Sequence, residues 1–469
     1  MTAPLWTSEA ISAASKGRTN SLFSIDGISI DSRQPLQGNL FIAIVGNQFD
    51  GHDYVDAALK AGAVGALVHQ KPPGVSKNDP RLIFVDNTFK ALEDIARAAR
   101  ERSNAHVVGI TGSVGKTGTK EMLLTAFKRL GPSYANEGNL NNHLGVPLSL
   151  ARLPENTKFA VFEMGMNHSG EIRPLTRMVN PHTAIVTRIA PAHMEFFSSL
   201  EAIADAKAEI FEGLTDGGVA ILNADDPLSR RLAKAIPEKI KILHFGSTKG
   251  SDVELLSADL DENGSRINAS IEGNLLSWEV KIAGAHWVQN SLAVVAAVHA
   301  TGGDIRKAAA AICKMDAPKG RGQRHKFCGI DVIDETYNAS PAAVRAAFKT
   351  LALTTPKPGG KRIFILGDML ELGDTAAADH AALAGDFLEA GLDCAHGVGP
   401  LARNFLEALP EASRGRWAPD SKVLARSVRN LASPGDVVLI KGSFSTDMEK
   451  IVEAMKKQQN KAEGQTNAF

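Results

Sequence analysis

The chain has 469 residues, more than one hydrophobic core usually organises, so about three domains are expected. Its 52 Lys+Arg balance 52 Asp+Glu, and 44% hydrophobic with 22% charged residues is an ordinary soluble composition, leaving no global basic field for nucleic acid or anionic lipid. No run nears the ~18 apolar residues of a membrane span, residues 1–20 lack a signal-type apolar core, and Cys313, Cys328 and Cys394 are too scattered for a zinc, iron–sulfur or disulfide framework, so a cytoplasmic protein without membrane insertion is expected.

Residues 22–70 mix short apolar strands (Leu40–Val45, Ala66–Val68) with a helical pattern over Tyr54–Ala63, which reads as a small α/β domain closing near Lys71-Pro72-Pro73-Gly74 or the strand Leu82–Val85. The apolar run His106-Val107-Val108 then leads into Gly109-Ile110-Thr111-Gly112-Ser113-Val114-Gly115-Lys116-Thr117 and a helical segment over Thr119–Leu130. A glycine-rich turn between strand and helix leaves backbone N–H groups free at a positive helix end, where a polyphosphate can sit. Lys116 can reach its terminal phosphates and the Thr117 hydroxyl can hold Mg²⁺.

Apolar strands over Phe159–Met164, Thr183–Ile189, Val219–Asn223 and Lys241–Phe245 alternate with helical patterns, the signature of a parallel sheet covered on both faces. Period-two alternation around Asn263-Gly264 predicts a small antiparallel insert between Val253 and Ile282, followed by a helix over Trp287–Ala300. After the glycine-rich linker 317–322 a second βα series begins, with strands over Ile330–Ile333, Arg362–Leu366 and Val437–Ile440. The expected division is 1–86, 87–315, 316–457 and a disordered polar tail at 458–469.

Lys207 falls on the apolar stripe of the helical segment Glu201–Leu214, at i+4 from Ile203 and i−3 from Ile210. Such a lysine either snorkels outward or is desolvated into a neutral amine that can capture CO₂ as a carbamate. Glu163 closes one strand and His193 follows another, at the carboxyl ends where open α/β sheets bind ligands; an oxygen and an imidazole there suit a Mg²⁺ shell, or are a solvated acid and a packing histidine. The amide-rich segment Asn136–Pro147 suits sugar hydroxyls and peptide carbonyls, or a plain turn.

Together these segments resemble the ATP-dependent Mur ligases of peptidoglycan precursor synthesis, over nearly everything from Asp31 to about Met455. The resemblance implies a three-domain α/β fold: a small N-terminal domain binding the UDP end of the substrate, a central doubly wound P-loop domain binding ATP, and a C-terminal Rossmann-like domain. It implies UDP contacts at Ser32 and Arg33, ATP contacts from Thr111, Gly112, Gly115, Lys116 and Thr117, and substrate contacts at Asn139, Asn141, Asn142 and Asn167. Glu163 and His193, with Thr117, match Mg²⁺ ligands, and Lys207 matches a lysine carbamylated to support a second Mg²⁺; Lys116, Lys207 and His193 are the expected catalytic set. In His286-Trp287-Val288-Gln289-Asn290, Asn290 matches an adenine-side residue, and Arg321, Asp334 and Asn338 match the far side of the ATP site.

The segments Asp334–Pro341 and Leu366–Gly373 are similar to those of members that add D-alanyl-D-alanine to a UDP-N-acetylmuramoyl-tripeptide. Departures from the pattern are Gly118, Arg188, Trp287 and Phe444, where threonine, asparagine, asparagine and arginine are usual. A small-molecule ligase acting as a monomer is expected. The competing readings are an amino-acid-adding relative, a folylpolyglutamate-synthetase-like ligase, or a nucleotide switch that makes no amide bond.

Overall fold

The structure is a computed structural model describing residues 3–191 and 194–466. Near the N-terminus, the strands Gly27–Ser29, Asn39–Ile42, Gly65–Val68 and Leu82–Phe84 form a parallel sheet in that order. Leu40-Phe41-Ile42 and Ala66-Leu67-Val68 are buried along their whole length, as strands covered on both faces must be. The expected Tyr54–Ala63 helix is a 3₁₀ turn, Gly51–Tyr54, continued by a helix at Val55–Lys60.

The helix Thr88–Arg102, capped by the Asn87 side chain, puts Ala91, Leu92, Ile95 and Ala99 into the N-terminal core with Leu148 and Ala151. Its Ala96 faces the core of the next sheet, so this helix is shared by two cores.

The central sheet has nine strands. Seven run parallel, side by side as Ser133–Ala135, Phe159–Glu163, His106–Thr111, Thr183–Val186, Val219–Asn223, Lys241–Gly246 and Val253–Asp261. The chain enters at His106–Thr111, builds toward one edge, returns to Phe159–Glu163, and then crosses to the other side. Strand order therefore reverses at His106–Thr111, which makes its carboxyl end the switch point where a crevice opens.

The antiparallel insert predicted around Asn263-Gly264 is a three-stranded meander, Val253–Asp261, Gly264–Ile271 and Asn274–Val280. Asp261 Oδ1 closes its first turn by accepting the N–H groups of Asn263 and Gly264. The meander continues the parallel sheet through Phe245 and Val253.

The C-terminal sheet orders its strands as Gln323–Phe327, Ile330–Glu335, Val437–Lys441, Arg362–Gly367, Cys394–Val398 and Arg414–Ala418, all parallel except the first. The last strand in sequence lies between Ile330–Glu335 and Arg362–Gly367, which brings three loop-bearing strand ends together. The closing helix runs over Glu449–Thr466 and so includes most of the segment expected to be a disordered tail. Its Ala, Lys, Gln and Glu content favours helix without any need for burial. Among the described residues no helix is long and apolar enough to cross a membrane.

Candidate active site

The strand His106–Thr111 delivers Gly112 at φ 149° and Gly115 at φ 87°, and the helix Lys116–Phe127 starts on Gly115. Only glycine fits these two positions. A Cβ on Gly112 would stand 2.0 Å from Thr187 Oγ1, and one on Gly115 would stand 2.8 Å from Asn290 Oδ1. Thr187, which sequence reasoning did not single out, clamps the loop by donating to Val114 O at 2.6 Å. Buried Thr111 Oγ1 and Ser113 Oγ have no protein partner. The Lys116 ammonium bends back onto Gly112 O at 2.7 Å, and burial pushes its pKa below the usual lysine range.

Glu163 sits at the end of the neighbouring strand inside a closed set of partners. Thr117 Oγ1 donates to its Oε2 at 2.8 Å, Asn141 Nδ2 donates to its Oε1 at 2.8 Å, and its backbone N–H donates to Asn136 Oδ1 at 2.8 Å. Asn136 returns a bond to Glu163 O, and fully buried Lys120 donates to Asn136 O at 2.6 Å. Lys120 is a support that the sequence pattern did not mark, and Asn136, read there as part of an amide-rich binding segment or turn, is a support of Glu163. The one signal for Lys120 is that it lies a helical turn beyond Lys116.

Lys207 is 1% exposed at the end of the helix Leu200–Ala208, beyond which the expected helix tightens into a 3₁₀ turn at Glu209–Gly213. Burial lowers its pKa well below the ordinary value, the Lys116 charge lowers it further, and Glu163 opposes both. Snorkelling is thereby excluded. His193 lies outside the described residues.

A cleft of about 1380 Å³ joins this wall to the C-terminal sheet. Asn139, Asn141 and Asn167 line it, along with Glu163, Asn290 and Arg321. Asn142 instead holds the turn that leads into the helix Gly145–Ala151, its Oδ1 accepting from Leu144 N and Gly145 N. Ser32 and Arg33 are not part of the cleft, and the exposed Arg33 makes a bidentate pair with Asp31.

Across the cleft, the Arg321 guanidinium stacks on the Tyr337 ring at 3.9 Å, and Tyr337 also meets the exposed Phe444. Asn338 lines the cleft, its Oδ1 accepting from Ala339 N, whereas Asp334 Oδ1 is engaged by Thr336. Beneath them Lys441 donates to Glu335 at 2.9 Å in a buried ion pair. Burial costs the Glu335 carboxylate most, yet the charges of Lys441 and then His286 hold its pKa below the usual range.

Two of the departures are one feature. A Cβ on Gly118 would stand 2.7 Å from Asn290 Nδ2 and 3.2 Å from the Trp287 ring, so the bare glycine makes room for the indole.

The Mur ligase family, catalytic domain, matches residues 24–100; the Mur ligase middle domain matches 110–298; the Mur ligase, glutamate ligase domain, matches 320–444. The UDP-N-acetylmuramoyl-tripeptide--D-alanyl-D-alanine ligase of Rickettsia prowazekii is 33% identical over 96% of this chain and 99% of its own length. The enzyme of the same name from Bacillus subtilis is 35% identical over 91% and 92%. The chain belongs to the Mur ligase family. A crystal structure of MurF from Acinetobacter baumannii superimposes with a TM-score of 0.85 at 30% identity, covering 96% of this chain and 99% of that one. The three-domain α/β expectation is met, and like its family this Mur ligase is an ATP-dependent amide ligase.

Proposed function

We propose that this Mur ligase joins D-alanyl-D-alanine to UDP-N-acetylmuramoyl-tripeptide, giving the pentapeptide, ADP and phosphate in peptidoglycan precursor synthesis. The observation that carries the reading is one cleft lined by both the Lys116 loop and the Tyr337–Phe444 face of the C-terminal sheet. It is supported by the nearly full-length likeness to enzymes named for that reaction.

The residues present fit ATP and Mg²⁺. Glycines leave the loop's backbone open, Thr111 and Ser113 keep buried hydroxyls without protein partners, and Thr117 and Glu163 form a hard-oxygen pair suited to Mg²⁺. We assign Thr117 and Glu163 to the metal, with Lys207 as carbamate and His193 completing the set. Bound Mg²⁺ supplies charge compensation on the phosphates.

The tripeptide carboxylate oxygen attacks the γ-phosphorus and ADP departs, leaving an acyl phosphate. Lys116 is freed for this by exchanging Gly112 O for phosphate oxygens. The neutral dipeptide amine then attacks the acyl carbon, and phosphate leaves as the amide forms. Asn139, Asn141 and Asn167, which line the cleft, hold the acyl substrate in this reading, and Asn290, Arg321 and Asn338 hold the nucleotide. Glu195 N reaches Glu371 O at 3.4 Å, so the loop after His193 already touches the C-terminal domain. Closure about residues 314–321 tightens that contact and excludes water.

A cytoplasmic monomer acting on small molecules completes the proposal. Phosphate release is measured with ATP, magnesium, UDP-muramoyl-tripeptide and either D-Ala-D-Ala or single amino acids. Release is expected with the dipeptide; release with a single amino acid alone assigns the chain to an amino-acid-adding step.

A further inference from the structure

The cationic side chains of the cleft divide by what they already hold. Lys116 bonds Gly112 O, Arg321 stacks on Tyr337, Arg345 pairs with Asp386 and Lys441 pairs with Glu335. Among the described residues, Arg188 and Lys349 have no acid, hydrogen-bond or ring partner for their side chains. Lys349 belongs to the C-terminal helix Pro341–Ala352, whereas Arg188 stands beside the phosphate loop.

The strand Thr183–Val186 pairs with the phosphate strand, Val186 opposite Thr111, and leads directly into Thr187 and Arg188. The Thr187 hydroxyl clamps Val114 O, and the Ser113 N–H donates to Arg188 O at 2.7 Å. This backbone is therefore fixed against the loop while the Arg188 side chain lies exposed in the cleft. The same bond uses up the Ser113 N–H, one of the donors that a glycine-rich loop otherwise offers to phosphate. A guanidinium has five donors and no acceptor, with a fork that matches phosphate oxygens.

We propose that Arg188 is a further nucleotide-binding residue of this enzyme, donating to the phosphate chain of the bound nucleotide in place of the Ser113 N–H that its own carbonyl occupies. The inference rests on the nucleotide reading of the cleft. It assigns to Arg188 a contact with phosphate rather than with the base or the acyl substrate.

The test is calorimetric titration of ADP and of adenosine into the full chain and into Arg188→Gln and Arg188→Lys, alongside steady-state KM values for ATP and the acyl substrate. Loss of a charge-assisted contact in Arg188→Gln is expected to weaken ADP binding by about 10- to 50-fold. Arg188→Lys should recover part of that, and adenosine binding and the acyl KM should stay as in the unaltered chain. Unchanged ADP affinity in Arg188→Gln overturns the inference. So does an equal loss for adenosine, which would place the side chain at the base, or a rise in the acyl KM alone. Failure of the unaltered chain itself to bind ADP would instead remove the nucleotide reading, and this inference with it.

Discussion

Around Glu163 the protein supplies its own partners, whereas the first turn of the helix Ala285–Ala300 leaves buried polar atoms waiting. The Glu163 carboxylate and backbone are engaged by Thr117, Asn141 and Asn136, and Asn136 is itself held by Lys120. Facing the same cleft, His286 Nδ1, Trp287 Nε1 and Gln289 Oε1 are buried with no protein partner. A buried unsatisfied polar atom costs about 1–3 kcal/mol, so this turn gains from a ligand or water in a way the Glu163 cluster does not. The Glu163 cluster is set before any ligand arrives, as electrostatic preorganisation requires, whereas the His286–Gln289 turn, like the Thr111 and Ser113 hydroxyls of the glycine-rich loop, leaves polar atoms for a ligand to complete.

The hardest blow to the preorganised wall is Lys207→Met. Ligation should fall by about 100-fold or more if the carbamate role holds, with partial rescue of Lys207→Ala by a short carboxylic acid. Stability should move the other way. The unfolded chain keeps Lys207 protonated up to a pKa of about 10.4, while burial and then Lys116 depress the folded value well below this. Between those two values the unfolded state binds more protons, so stability rises with pH across that window. Lys207→Met should flatten this slope and raise the melting temperature in CO₂-free buffer. A fully active, less stable variant would break the comparison.

Gly118→Thr sharpens the comparison from the other wall. The new side chain collides with Asn290 and Trp287, and the KM for ATP should rise about tenfold. Combining it with Trp287→Ala should recover part of that rise, whereas additive losses would show that the two positions are independent. Asn142→Ala should have the smallest effect. Loss of the two backbone bonds that its oxygen accepts should cost about 1 kcal/mol in thermal or denaturant unfolding and leave the acyl KM unchanged. A raised KM without lost stability would make Asn142 a substrate contact.

The sequence was legible where one residue's chemistry depends on its immediate neighbours. Gly112, Gly115, Lys116 and Thr117 follow from the strand–turn–helix pattern, and Lys207 stood out because a charge interrupted an apolar stripe. Residues whose role depends on pairing across the sheet were not legible. Thr187 matters because its strand lies beside Thr111, 76 residues away, and Asn136, flagged only as one of several amides, supports Glu163 because Phe159–Glu163 runs past it, 27 residues on. Asn142 looked like its amide neighbours, and only helix geometry shows that its oxygen is engaged. The family pattern marked Gly118 and Trp287 as separate oddities; packing shows that each explains the other.

Cleavage of ATP in this enzyme is tied to making one amide bond. Phosphate release, followed with magnesium while ATP, UDP-muramoyl-tripeptide and D-alanyl-D-alanine are omitted one at a time, tests it most directly. Sustained release only when all three are present, matched mole for mole by pentapeptide, is the predicted result. Release that continues without either the acyl or the amine substrate, or none with all three supplied to folded protein, would contradict it.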